Sequence, residues 1–397
     1  MNTLLIKSFI PNLKKGIVLA FLLSLPTQLG IHFWPDFTSV LGIRIDYLSP
    51  TIYLSDLLAI ILICLFLKFN FKKTFWIWFF QLFLYLFTTS ILLSQNQGAA
   101  LYKLYKIFEF IFLGLALYQA REFGRDFLSK GLSIVVIFTF FLGILQFIKG
   151  SSIGFWALGE RFLSGSIPSV ATVQIFGQEF LRPYATFSHP NSLAGFVLVS
   201  LLLLFPWKSK LEKAALLLGI GLLILAWSQT VWLGLLVYFS WLLLNKRLKI
   251  FDAISLAVIL FLSLLPVIFA DMLRTQEIVT RKILFEASVN VFLQNPLLGI
   301  GLNNFIPRLP EFLPSNKIWI LQPVHNIYLL LLTEFGIIGS ILLFWGARFL
   351  NLKHLLKAFP FWAILLTGTL DHYWLTLQQN QLLLVVTLAY LLKTKEQ

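Results

Sequence analysis

An all-α, polytopic membrane protein of about twelve transmembrane helices is the fold class this sequence predicts, on three observations. The 397 residues are 58% apolar and only 12% charged, with mean hydropathy +0.86, whereas soluble domains carry about 25% charged residues. Apolar runs of spanning length, about 17–25 residues, recur along the whole chain. Basic clusters fall on alternate connections between those runs, as topology signals do.

The first run, near 16–34, follows Lys14 and Lys15 and starts like a signal peptide, but TQLGIHFWPDF offers no small-residue cleavage site, so it is read as a retained span. Further spans are predicted near 51–67, 75–94, 100–120, 128–148, 189–207, 214–228, 230–245, 251–270, 324–346, 358–374 and 378–392. The stretch Ala214–Leu244 is too long for one span and too short for two with a loop. Ser228-Gln229-Thr230 is therefore predicted as a tight turn or a broken helix at the membrane face.

With the N-terminus inside, clusters from Lys7/Lys14/Lys15 to Lys393/Lys395 put 20 of the 31 Lys and Arg residues on one side. That side is the cytoplasm, which makes both termini cytoplasmic in a multi-pass protein of the cytoplasmic (inner) membrane. The other eleven, among them Lys103, Lys106, Arg161, Arg182, Arg274 and Arg281, face outward, where a cation surplus suits an anionic ligand. Two long outward connections, 150–188 and 271–323, interrupt a single integral membrane domain over 1–397 and concentrate the expected function on that face.

The net charge of +14 is dispersed in small clusters rather than gathered on one solvated face, which argues against nucleic acid. A single cysteine, Cys64, allows neither an intramolecular disulfide nor a thiolate metal site. No H-E-x-x-H, Walker loop or G-x-S-x-G occurs, so no metal or cofactor is expected, and ATP-driven transport and serine hydrolysis find no support. No internal repeat relates the halves, which weakens an inverted-repeat transporter.

Four constellations could carry chemistry. Arg182-Pro-Tyr-Ala-Thr-Phe-Ser-His189-Pro190-Asn191 leads into the sixth span. There a capped helix start beside an arginine can hold a phosphate, or can simply be a cap with a headgroup anchor. Arg281 to Phe305 contains an amphipathic stretch, Ile283–Phe292, predicted as a short interfacial helix stopped at Pro296. Gly299-Ile-Gly301 follows it and permits a tight turn close to a ligand. His325-Asn326 sits at the mouth of a helix, with Glu334 roughly 13 Å deeper at 1.5 Å per residue. A buried carboxyl at that depth is either functional or a hydrogen-bonded structural group. Asp371-His372 closes the eleventh span and either tunes a general base or, the favoured reading, lies in the headgroup zone beside interfacial aromatics.

Taken in order, Arg182–Ala194, the Ser228–Trp232 turn, Arg281 through Asn295-Pro296-Leu-Leu-Gly-Ile-Gly301 to Phe305, and His325-Asn326-x-Tyr328 through Glu334-Phe-Gly336-Ile-Ile-Gly339 resemble the O-antigen ligase and O-antigen polymerase superfamily. The resemblance covers roughly Arg182 to Gly339 and implies a metal-independent, C-type glycosyltransferase-like membrane enzyme using a glycan on polyprenyl pyrophosphate. It implies Arg281 as the residue engaging the donor pyrophosphate and His325 as the base or acceptor-orienting residue. Arg182, His189, Asn191 and Asn326 complete the expected binding set. The family usually shows Ser-Arg where this chain has Ser228-Gln229, so one pyrophosphate arginine is missing and Lys103, Lys106 or Arg182 could supply the charge.

The implied partners are membrane lipids, the lipid-linked donor and a glycan, lipid or protein acceptor. Single displacement at the anomeric carbon inverts it, since Glu334 is too deep to be a nucleophile. The alternative is a flippase or exporter of lipid-linked glycan.

Overall fold

Apolar segments that cannot leave amides unpaired in lipid fold as helices. The computed structural model describes residues 2–167, 170–175, 177–244, 275–314, 317–349 and 352–393, and these are mostly helical. In chain order the helices of ten or more residues are α1 (Asn2–Ser24), α2 (Leu54–Phe66), α3 (Lys73–Leu92), α4 (Gln97–Gln119), α5 (Arg125–Lys149), α6 (Pro190–Leu203), α7 (Lys210–Ala226), α8 (Gln229–Leu244), α9 (Thr275–Gln294), α10 (Ile327–Gly346), α11 (Phe359–Gly368) and α12 (Gln378–Lys393). Eleven of the predicted segments overlap one of these. The segment 251–270, the cluster Lys246/Arg247/Lys249 and Arg274 lie outside the described residues. By length and composition Lys73–Leu92, Arg125–Lys149 and Ile327–Phe349 can each cross a membrane, and α2, α6, α11 and part of α8 are shorter apolar helices.

Two boundaries differ from expectation and a third agrees with it. Helix α1 ends at Ser24, and residues 25–53 form a third long connection instead of the end of a span. Its antiparallel pieces pair β1 (Gly30–His32) with β4 (Thr51–Tyr53) and β2 (Ser39–Val40) with β3 (Ile43–Arg44). Pro26, Gly30 and Pro35 interrupt a helical path, and the ladders satisfy the backbone instead. Helix α9 runs 20 residues, longer than the predicted Ile283–Phe292, and buries Leu284, Ala287, Ser288 and Val291 against a neighbouring core. The α7–α8 junction is the expected tight turn, made by left-handed Trp227 (φ 53°).

Helix α6 is the pivot of the bundle. All fourteen of its residues are buried, as expected of a helix apolar all round, and it packs on α5, α7, α8, α11 and α12. Its C-terminal carbonyls are held by Arg125, whose Nη1 donates to Leu203 O at 2.6 Å and which pairs with Glu212 at 3.2 Å, a cation at the negative end of the dipole. At its other end the 150–188 connection, with the hairpin β5 (Thr172–Ile175) and β6 (Gln178–Leu181), leads to a cavity.

Candidate functional site

The cavity has a volume of about 540 Å³ and is lined from the 25–53 and 150–188 connections, α4, α9 and the segments before α10 and around α12. Four of the eleven cations assigned to the outer side line it: Lys103, Lys106, Arg161 and Arg281.

One wall is the start of α6. His189 takes an extended N-cap conformation (φ −153°) and its Nδ1 accepts the Asn191 N–H at 3.1 Å, with Pro190 at the first helical position, where a missing N–H does no harm. Asn191 then ties two segments together. Its Oδ1 accepts from Arg182 Nη2 at 2.7 Å, and its Nδ2 donates to Asp371 Oδ2 at 3.2 Å. Arg182 Nε also donates to Ala226 O at 2.9 Å, which joins the Trp227 turn to the same network.

The facing wall carries His325. Asn326 is the N-cap of α10, its Oδ1 accepting the Leu329 N–H at 2.9 Å while Nδ2 donates to Thr369 O at 3.1 Å. Because Asn326 caps the helix, His325 does not. The His325 ring packs edge-on to His372 with centroids 5.0 Å apart, and its buried Nδ1 has no hydrogen-bond partner among the described residues. Asp371 accepts the His372 N–H on Oδ1 at 3.1 Å, and His372 Nδ1 meets the Thr376 hydroxyl at 2.7 Å. Arg281 Nη1 donates to Leu370 O at 2.6 Å, bringing α9 to the same corner. The Asp371-His372 pair, read from sequence as a headgroup feature, thus belongs to the site. His325, Asp371 and His372 offer one donor atom each within 4.8 Å of one another, a set able to hold a metal ion.

Burial sets the protonation of the three histidines. Desolvation first, then the Arg281 charge, pushes His325 down to about 3. Desolvation and His325 push His372 to about 3 against the opposing pull of Asp371, and desolvation with Arg182 pushes His189 well below its ordinary value. All three are neutral near pH 7, so each has a nitrogen lone pair. An anionic ligand entering beside Arg281 would raise them again.

Lys106, one of the three residues that could supply the missing charge, is buried and bridged to Asp56 at 2.7 Å and Glu109 at 2.8 Å. Lys103 donates to Leu375 O. Neither ammonium stands in simply for the arginine that Gln229 replaces.

Gly299-Ile-Gly301 does approach something closely, but it is helix backbone rather than ligand. Helix α10 is broken at Gly336 (φ 64°, ψ −175°). The Ile337 and Ile338 N–H groups go to Pro296 O and Leu297 O at 2.8 and 3.0 Å, and the Thr333 and Glu334 carbonyls they would have bonded accept from Ile300 and Gly301 at 3.1 Å each. A Cβ on Gly299 would lie 2.5 Å from Glu334 O, and one on Gly336 2.4 Å from Gly299 N. Four exchanged bonds repair a break that lipid could not. The Glu334 carboxylate accepts the backbone N–H groups of Asn303 and Phe305, the contacts of a structural carboxyl. Spacing alone does not reveal this clamp, although paired glycines in two separate motifs are its signal.

Residues 214–344 match the family model described as O-antigen ligase, and this match supports membership of the O-antigen ligase family. No curated protein matches the chain. With the apolar helices, the match points to a membrane protein with a glycan ligase or polymerase role in polysaccharide biosynthesis.

Proposed function

We propose that the chain is a glycosyltransferase of about twelve transmembrane helices in the cytoplasmic membrane, with both termini cytoplasmic and the cavity open to the outer face. It transfers or polymerises a glycan from a polyprenyl-pyrophosphate donor onto an acceptor hydroxyl. The observation that carries this reading is the convergence of Arg281, His325 and His372 from separate segments on one cavity, with Arg182 behind its wall bonded to Asn191, within a chain of which residues 214–344 match the O-antigen ligase family model.

The acceptor oxygen attacks the anomeric carbon as the bond to the diphosphate breaks, inverting the centre. The acceptor proton passes to a His325 nitrogen, available because the ring is neutral. Charge on the departing diphosphate falls to Arg281, whose planar fork suits phosphate. Arg182 acts through Asn191, holding Asp371 and the start of α6 in place, and His189 and Asn326 cap the two helices that frame the donor.

The test is purified protein in liposomes with a polyprenyl-pyrophosphate oligosaccharide and excess chelator. Release of lipid pyrophosphate coupled to glycan growth or attachment is expected. Arg281→Ala should raise the donor KM tenfold or more, about 1.4 kcal/mol of lost binding or beyond. Intact donor carried across the bilayer without cleavage would establish the flippase instead.

A further inference from the structure

Two imidazoles and a carboxylate, the donors of His325, His372 and Asp371, are a set that suits zinc and the other borderline divalent transition metals. Tetrahedral bonds of about 2.1 Å place donor atoms about 3.4 Å apart, so a cluster already within 4.8 Å has at most about 1.4 Å to close. Two of the three ligands are already oriented by outer partners. Thr376 holds His372 Nδ1 at 2.7 Å and leaves Nε2 as the donor, while Asn191, itself held by Arg182, holds Asp371 Oδ2. Metal-binding histidines and carboxylates carry such partners as a rule. The third ligand has the opposite property: His325 Nδ1 is buried and unpaired among the described residues, a state that a metal bond relieves. The nearby Arg281 charge opposes every cation alike, so selection falls to the donors: two imidazoles favour ions bound through nitrogen over oxygen-seeking Mg²⁺.

We propose that His325, Asp371 and His372 form a site for one borderline divalent cation, of the zinc or cobalt class, and that the bound ion switches transfer off by occupying His325. The inhibitory half rests on the transferase reading, and the binding half does not.

Chelator-stripped protein in detergent, titrated with Zn²⁺ by calorimetry and with Co²⁺ by visible absorption, should show one saturable equivalent, Co²⁺ bands of a four- or five-coordinate site, and no response to Mg²⁺. Asp371→Asn and His372→Gln should each weaken Zn²⁺ binding tenfold or more. Thr376→Val, which leaves the three ligands in place and removes the hydroxyl that meets His372 Nδ1, should weaken it about tenfold. No saturable uptake, or uptake unchanged in all three variants, overturns the site and leaves the transferase reading standing. Uptake with undiminished glycan transfer overturns the inhibitory half and the assignment of His325 with it.

Discussion

Two helix starts built from the same pair of residue types behave differently. At α6, His189 is the N-cap and Asn191 reaches outward to Arg182 and Asp371; at α10, Asn326 is the N-cap and His325 is left one position outside it. A histidine that caps a helix spends a nitrogen on the backbone, whereas one displaced by a capping asparagine keeps its nitrogen for chemistry. Here the displaced one is His325, with its Nδ1 buried and unpaired among the described residues. The same grammar thus yields a strut on one side of the cavity and a ring with an unpaired nitrogen on the other.

The sharpest way to break this comparison is His325→Ala. Transfer should fall about 10²–10⁴-fold, the usual weight of a general base, while the thermal unfolding midpoint in detergent stays close to wild type. Turnover near the wild-type rate would remove the contrast. Next in size is the clamp that positions α10. Gly299→Ala places a Cβ 2.5 Å from Glu334 O at a left-handed position (φ +70°), so a loss of at least about 1–3 kcal/mol is expected in unfolding measurements. An unshifted midpoint would mean that the break at Gly336 does not depend on the loop.

A smaller effect separates cap from reactant. His189→Ala and Asn326→Ala should each lower stability by about 1 kcal/mol, and Asn326→Asp should retain most of it, because an aspartate oxygen caps as well. Equal losses for Asn326→Asp and Asn326→Ala would show that the Thr369 contact matters more than the cap.

The smallest expected effect lies in the 150–188 connection on the α6 side. The Glu160 carboxylate accepts Gln146 Nε2 and the N–H groups of Ile153, Gly154 and Phe155 at 2.6–2.8 Å. Burial alone would raise its pKa, but these hydrogen bonds outweigh it and the value lies below 4.5. The folded pKa is depressed, so the stabilisation is complete above about pH 4.5 and fades as pH falls through the folded value. Unfolding followed from about pH 6 down to about pH 3 should show this acid limb, and Glu160→Gln should flatten it.

Part of the site is legible in the amino-acid sequence. Arg182, Arg281 and His325 carry charge or a titratable ring in motifs whose order and spacing can be read along the chain. The 25–53 connection is harder to read, because Leu29–Trp34 is apolar enough to pass for the end of a span although its backbone pairs in β1 and β4. Asp371-His372 resembles a headgroup pair because its nearest informative neighbours along the chain are interfacial aromatics. Its neighbours in space, His325, Asn191 and Tyr47, come from distant segments.

What the sequence determined by itself is everything governed by local hydropathy: a mostly helical chain, where most helices lie, and which connections are basic. Transfer of apolar side chains and of amides into lipid is a per-segment cost, so it is written segment by segment. The tertiary structure alone decided which polar groups are spent on one another: Lys106 on Asp56 and Glu109, Asn191 on Arg182 and Asp371, the Pro296–Gly301 loop on the broken α10. Those pairings depend on distances between segments far apart in the chain, and among the described residues they leave His325 with an unpaired nitrogen at the cavity wall.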